Sequence, residues 1–277
     1  MRKNGAVYNG GGAHIVNSFK NAQRIVVKVG TSTLTYETGR LNIRRVEQLC
    51  KVLVDIKNSG REVLLVSSGA IGVGFGKLRL RERPSDTPTK QAAAAVGQCE
   101  LMAMYDRCFQ EYNHVAAQVL LTHDDVTDLQ RHINIVNTIS RLLELDTIPV
   151  FNENDTVAVD EIAFGDNDTL SAVVAEMANA DALVLMSDID GLFTADPHDD
   201  PDARLIDVIS KLTPELFTLA GAAGSARGTG GMVTKLRAAE IACRAGIPMA
   251  IVNGSTPDIL YDLFDGVPCG TLFIWEE

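Results

Sequence analysis

The chain has 277 residues, 46% of them hydrophobic and 22% charged, with a formal net charge of −11 and a pI near 4.9. That length suits one large α/β domain or two small ones. The acidity argues against a broad nucleic-acid or acidic-membrane surface, which needs clustered Lys and Arg, but leaves room for a small anionic substrate held by a few cations.

Residues 1–23 are rich in Gly and Asn and lack a long apolar core, which fails as a signal peptide and as a membrane span. They are expected to form a flexible extension before a domain over 24–277. From residue 25 a repeated cadence begins. "RIVVKVGTS" is expected to be a buried strand ending in a Gly turn. "LNIRRVEQLCKVLVDIKNSG" places Ile43, Val46, Leu49, Leu53 and Ile56 on one helical face, with Gly60 as the stop. "REVLLVSSGAIGVG" reads as a second strand and a Gly-rich turn, and "LRLRERPSDTPTK" as a solvated, mobile loop. The Ala-rich stretch from Thr89 to Tyr112 is helical in pattern, with Gly97 as an interruption.

"VAAQVLLT" and "TIPVFNEND" are predicted strands flanking a helix in "RHINIVNTISRLLEL". Beyond them come a helix in "LSAVVAEMANA", a strand in "ALVLMSD", a helix in "KLRAAEIACRAG", and strands in "IPMAIVNG" and "GTLFI". Short apolar strands alternating with helices imply an α/β fold whose mainly parallel sheet is covered on both faces. No linker or repeat divides the chain, so the pattern implies one domain with two functional lobes, divided near residue 180.

In such sheets ligands bind beyond the carboxyl ends of the strands. Here those ends read Gly-Thr-Ser, Ser-Ser-Gly, Asn-Glu-Asn-Asp and Ser-Asp. Lys28 interrupts an apolar strand just before Gly30, Thr31 and Ser32, whose amides suit an anion; a strand-end lysine reaching out to solvent is the plainer alternative. "GTGGMVTK", residues 228–235, opens a helix but fails both the Walker A and GxGxxG patterns. Amides at that helix start, with Lys235 in the first turn, nonetheless suit a phosphate. Asp166 and Asp168 could simply cap the helix that follows them, and Ser67, Ser68 and Gly69 could be a cap and turn. Asp188 and Asp190 look like a metal loop, but the EF-hand pattern fails. Five scattered cysteines without a CxxC pair imply reduced thiols in a cytoplasmic protein, and the five histidines form no metal motif.

Taken in order, KVGTS at 28–32, VSSGAIGVG at 66–74, NENDTV at 152–157, GDNDTLSA at 165–172, SDIDGLFTADP at 187–197 and GTGGMVTK at 228–235 resemble the amino acid kinase family over roughly residues 24–275. The resemblance implies a three-layer αβα sandwich that uses ATP with Mg²⁺. It further implies γ-phosphoryl transfer to the side-chain carboxylate of L-glutamate, the opening step of proline synthesis. On that reading Lys28, Asp168 and Lys235 are catalytic, with Asp168 holding the two lysines. Ser68, Asp155 and Asn167 would bind glutamate, the Asn amide donating and Asp155 accepting from the ammonium group. Lys28, Ser187, Asp188, Thr229, Gly230, Gly231, Met232, Val233, Thr234 and Lys235 would line the ATP site. The implied glutamate lobe is about 24–180 and the ATP lobe about 181–277.

Many members carry a further C-terminal domain of the PUA type; the chain ends at Glu277 just after GTLFI, so a form without it is expected. A homo-oligomer (dimer or tetramer) and feedback inhibition by proline are likewise implied, with neither nucleic acid nor membrane as a partner. The alternatives are a sibling kinase acting on another small carboxylate, carbamate or nucleoside monophosphate, and a non-catalytic nucleotide-binding regulator.

Overall fold

The computed structural model describes residues 17–36, 38–82, 84–157, 167–195, 197, 200, 202–222 and 231–275. Its core begins with the strand β1 (Arg24–Val29), in which five of six residues are buried. So apolar a strand must be covered on both faces. β1 pairs in parallel with β2 (Glu62–Ser67) on one side and β5 (Ala182–Ser187) on the other. With β3 (Ala116–Leu121), β4 (Ile148–Glu153), β6 (Val208–Ile209), β7 (Met249–Asn253) and β8 (Thr271–Phe273), the sheet runs β3-β4-β2-β1-β5-β7-β8-β6. The pairings are parallel except for β7 with β8.

Period-2 geometry sorts the side chains into two cores. Ile25, Val27, Val63, Leu65, Ala182 and Val184 face one side, packing with α2 (Ile43–Asn58) and α4 (Thr87–Gln110). Val26, Leu64, Leu183 and Leu185 face the other, beneath α6 (Leu129–Glu144), α7 (Asn167–Met177) and α9 (Met232–Arg244). The result is the three-layer αβα sandwich expected from the resemblance. The shorter helices are α1 (Thr31–Leu34), α3 (Ala70–Leu78), α5 (His123–Thr127), α8 (Pro214–Ala222) and α10 (Ile259–Asp265).

Two glycine readings are corrected. "AIGVG" is not a turn but the start of α3, and Gly97 lies within the continuous α4 rather than breaking it. A Cβ at Gly97 would stand 1.8 Å from the Ala70 carbonyl oxygen, and one at Gly74 would stand 1.8 Å from that of Ala93. These glycines therefore serve a backbone-to-backbone crossing of α3 and α4, which sequence periodicity cannot reveal. Gly97→Ala gains helix propensity worth at most about 1 kcal/mol, while overpacking against backbone costs about 1–3 kcal/mol, occasionally more. The clash wins: a fall of about 1–2 kcal/mol is expected from urea unfolding, and an unchanged midpoint would contradict the crossing.

The boundary at residue 24 also moves. Residues 17–21 are helical, and Phe19 and Ala22 are 0% and 1% exposed in the core. Arg61 donates to the carbonyls of Lys20 and Ala22 at 3.0 Å each. One buried aromatic anchors a segment whose Gly- and Asn-rich composition conceals it; the rest of the expected extension, residues 1–16, lies outside the described residues. The expected loop before α4 is shorter than its composition suggests: Asp86 caps the helix by accepting from the Thr89 amide at 2.9 Å, so TPTK is already helical.

Candidate active site

The crossover after β1 runs through α2 on one face, whereas α7 and α9, which precede β5 and β7, cover the other. The carboxyl ends of β1 and β5 therefore flank a topological switch point, where a ligand crevice opens. Both α7 and α9 point their N-termini to that edge and thus bring positive dipole ends to it.

Lys28 is next to last on β1 and 7% exposed. It does not snorkel outward: its Nζ lies 2.5 Å from Asp168 Oδ1. From the first turn of α9, the 5% exposed Lys235 places its Nζ 3.0 Å from Asp168 Oδ2, and Thr234 Oγ1 donates to that oxygen at 3.2 Å. Asp168, in the first turn of α7, is wholly buried. Burial pushes its carboxyl upward, but the two ammonium groups outweigh that and hold it down at about 2. Its stabilising contribution is thus complete above the ordinary carboxylate range and disappears as pH falls toward 2. One buried carboxylate fixes two ammonium groups from different elements, a net positive site suited to phosphate oxygens.

A second group gathers at the ends of β2 and β4. Asn167 Nδ2 donates to the Ser67 carbonyl and Ser68 Oγ at 3.0 Å each, and to Asn152 Oδ1 at 2.8 Å. Protein acceptors thus engage the amide nitrogen that was expected to donate to substrate. Asp155 stands just past β4, half-buried, and burial pushes its carboxyl up to about 6. Ser187 closes β5, its hydroxyl donating to Asp188 Oδ1 at 3.2 Å.

Gly231 is the N-cap of α9, and Met232 and Val233 pack their side chains against the core. What these two can offer a ligand is first-turn backbone N–H. Thr229 and Gly230 lie outside the described residues.

Among the described residues, no group of three or more His, Cys, Asp or Glu could hold a metal ion. Since Asp168 is already committed to lysines, a resident metal does not fit this donor set.

Three participants were not anticipated as site residues. Asn152, inside the NEND tetrad, and Gln98 on α4 form a buried pair. Asn253, at the end of β7, donates to Asp190 Oδ1 at 2.7 Å. The strand-end rule that singled out the other positions applies to Asn253 as well; Gln98 carries no such signal, since it reaches the site from mid-helix.

A mainly parallel αβα sandwich with paired lysines on an aspartate at its switch point has the makings of a phosphotransferase. The amino acid kinase family profile matches residues 23–253, and the chain belongs to that family. A glutamate 5-kinase of Clostridium perfringens is 52% identical over 264 residues, spanning 94% of this chain and 98% of that protein. One from Listeria innocua is 51% identical over 261 residues, spanning 92% and 94%. One from Moorella thermoacetica is 50% identical over 260 residues, spanning 94% of this chain and 69% of that protein. Among solved structures, the UMP kinase of Bacillus anthracis aligns with a TM-score of 0.64 at 19% identity, over 91% of this chain and 96% of that one, a likeness of fold alone.

Proposed function

We propose that this chain transfers the γ-phosphoryl group of ATP to the side-chain carboxylate of L-glutamate, forming L-glutamyl 5-phosphate and ADP, the entry step of proline synthesis. Identity of about half over nearly the whole length of glutamate 5-kinases supports the substrates. The observation that carries the chemistry is Asp168 holding Lys28 and Lys235 together.

A glutamate carboxylate oxygen attacks the γ-phosphorus as the bond to the ADP oxygen breaks. The nucleophile is already ionised, so no general base is required; the work is alignment and compensation of negative charge. Lys28 and Lys235 supply that compensation from two sides, and the N-terminus of α9 with Gly231 to Lys235 favours the nucleotide phosphates. Mg²⁺ enters with the nucleotide as MgATP, its phosphates being ligands for the ion. Ser68, Asp155 and Asn167 precede residue 180 and form the glutamate side, while Ser187, Asp188 and α9 follow it and form the nucleotide side. A cytoplasmic setting and a homo-oligomer belong to the same reading.

The test is to incubate the chain with MgATP, hydroxylamine and each candidate acid, trapping any acyl phosphate as its hydroxamate. Product with glutamate is expected; product with N-acetylglutamate or aspartate but none with glutamate would overturn the assignment. Proline, resembling cyclised glutamate, is expected to compete with glutamate. Rates against glutamate at several proline concentrations check this, and insensitivity at millimolar proline would remove it.

A further inference from the structure

Gln98 lies one residue beyond the glycine that lets α3 and α4 touch, and it is 9% exposed. Its Oε1 accepts from Asn152 Nδ2 at 2.8 Å, and Asn152 is itself 2% exposed. A primary amide has one acceptor end and one donor end. With its nitrogen on Gln98, Asn152 must turn Oδ1 the other way. There that oxygen accepts from Asn167 Nδ2 at 2.8 Å and from the Glu153 amide at 2.9 Å. Asn167 in turn keeps its nitrogen toward β2 and β4, which directs its own Oδ1 away from them. Turning Asn152 over would set two NH₂ groups against each other across the same 2.8 Å contact.

We infer that Gln98 is a positioning residue for the amino acid substrate: acting through Asn152, and together with the Glu153 amide and the Ser67 carbonyl, it holds the carbonyl oxygen, not the nitrogen, of Asn167 as the end turned to the substrate side. This rests on the proposed glutamate site. An acceptor there suits an ammonium group and complements Asp155, whereas a donor would recruit a carboxylate to the wrong end of the pocket. The α3–α4 glycine crossing holds the register of α4 that brings Gln98 within reach.

The test measures initial rates with whichever amino acid the wild-type chain phosphorylates. Gln98→Met keeps the length and removes the acceptor. Its KM for the amino acid is expected to rise about tenfold, with kcat and the KM for ATP within about twofold, as for an interaction made alike in ground and transition states. Gln98→Glu, which keeps an acceptor oxygen at that reach, recovers most of the loss. In an Asn152→Asp background both ends of residue 152 are oxygens, so adding Gln98→Met changes KM by less than about twofold.

An unchanged KM in Gln98→Met, or a full rise in that background, would overturn the inference. So would equal losses for both substrates with a lowered Tm, the mark of a merely structural role. Should Gln98→Met not fold, Gln98→Ser, whose space a water can enter, is read by the same criteria. A wild-type chain that turns over another amino acid in place of glutamate sinks the substrate assignment, and Gln98 is then decided with that acid.

Discussion

Asp168→Asn is expected to lower kcat by about 10²–10³, the loss typical of removing a preorganised transition-state contact. Asp168 presents one oxygen to Lys28 at 2.5 Å and the other to Lys235 at 3.0 Å. An amide has one oxygen only, so its NH₂ would face one of the two ammonium groups, donor against donor. The charge lost matters as much as the shape. Two nearly buried ammonium groups would remain without their anion, and breaking such a pair costs about 3–5 kcal/mol of stability.

Phosphate oxygens can replace that anion, so MgATP should raise the Tm of the variant more than that of the wild type. Its KM for ATP should not rise. Lys28→Ala and Lys235→Ala should lose turnover similarly while still folding, since Asp168 keeps the other lysine as its counter-ion. Steady-state kinetics and thermal melts with and without MgATP check all three. Were Asp168 simply a helix cap, Asn would replace it almost silently, and near-normal turnover in Asp168→Asn would refute its organising role.

Asp155→Asn is expected to reduce kcat/KM for glutamate at least about 30-fold, because losing a desolvated charge pair costs about 2–5 kcal/mol. Most of the loss should appear in KM, since the ammonium group is remote from the reacting carboxylate and is bound alike throughout. N-Acetylglutamate lacks that charge, so its poor reaction should not worsen comparably. Equal losses for both acids would make Asp155 a loop support.

pH supplies an independent reading. Burial raises the Asp155 carboxyl to about 6 in the free chain. The ionised form is the one that accepts the ammonium, so kcat/KM for glutamate should decline as pH falls through about 6. The decline should vanish in Asp155→Asn; if it persists unchanged, another group is responsible.

Both predictions concern residues visible in the sequence, because each has a local signature. Lys28 stands out as a charge within IVVKVG, Asp155 closes a polar tetrad at a strand end, and Lys235 is a cation where a helix dipole disfavours it. The alternation of apolar strands with helices likewise carries the sheet and its two covered faces. Those features rest on periods of a few residues, which the chain displays without folding.

Partnership does not have that property. That Lys28 and Lys235 share one carboxylate depends on β1 lying beside β5 and on the N-termini of α7 and α9 meeting at one edge. Locally Asp168 reads only as a helix cap; its contact with both lysines arises across the fold. Gly97 and Gly74 have no periodic meaning, and only the α3–α4 contact shows that they are spacers between backbones rather than breaks. Phe19 is one aromatic in a polar stretch, and only the core into which it packs makes that stretch part of the domain. Gln98 is the least legible case: a mid-helix amide 54 positions from Asn152 in the chain, joined to it by a 2.8 Å hydrogen bond. Local chemistry and periodicity determined which elements form and which residues are out of place in them. Which of those residues meet, and which end of each amide meets which partner, was decided by strand order and helix register, because contacts between distant residues are a property of the packed chain.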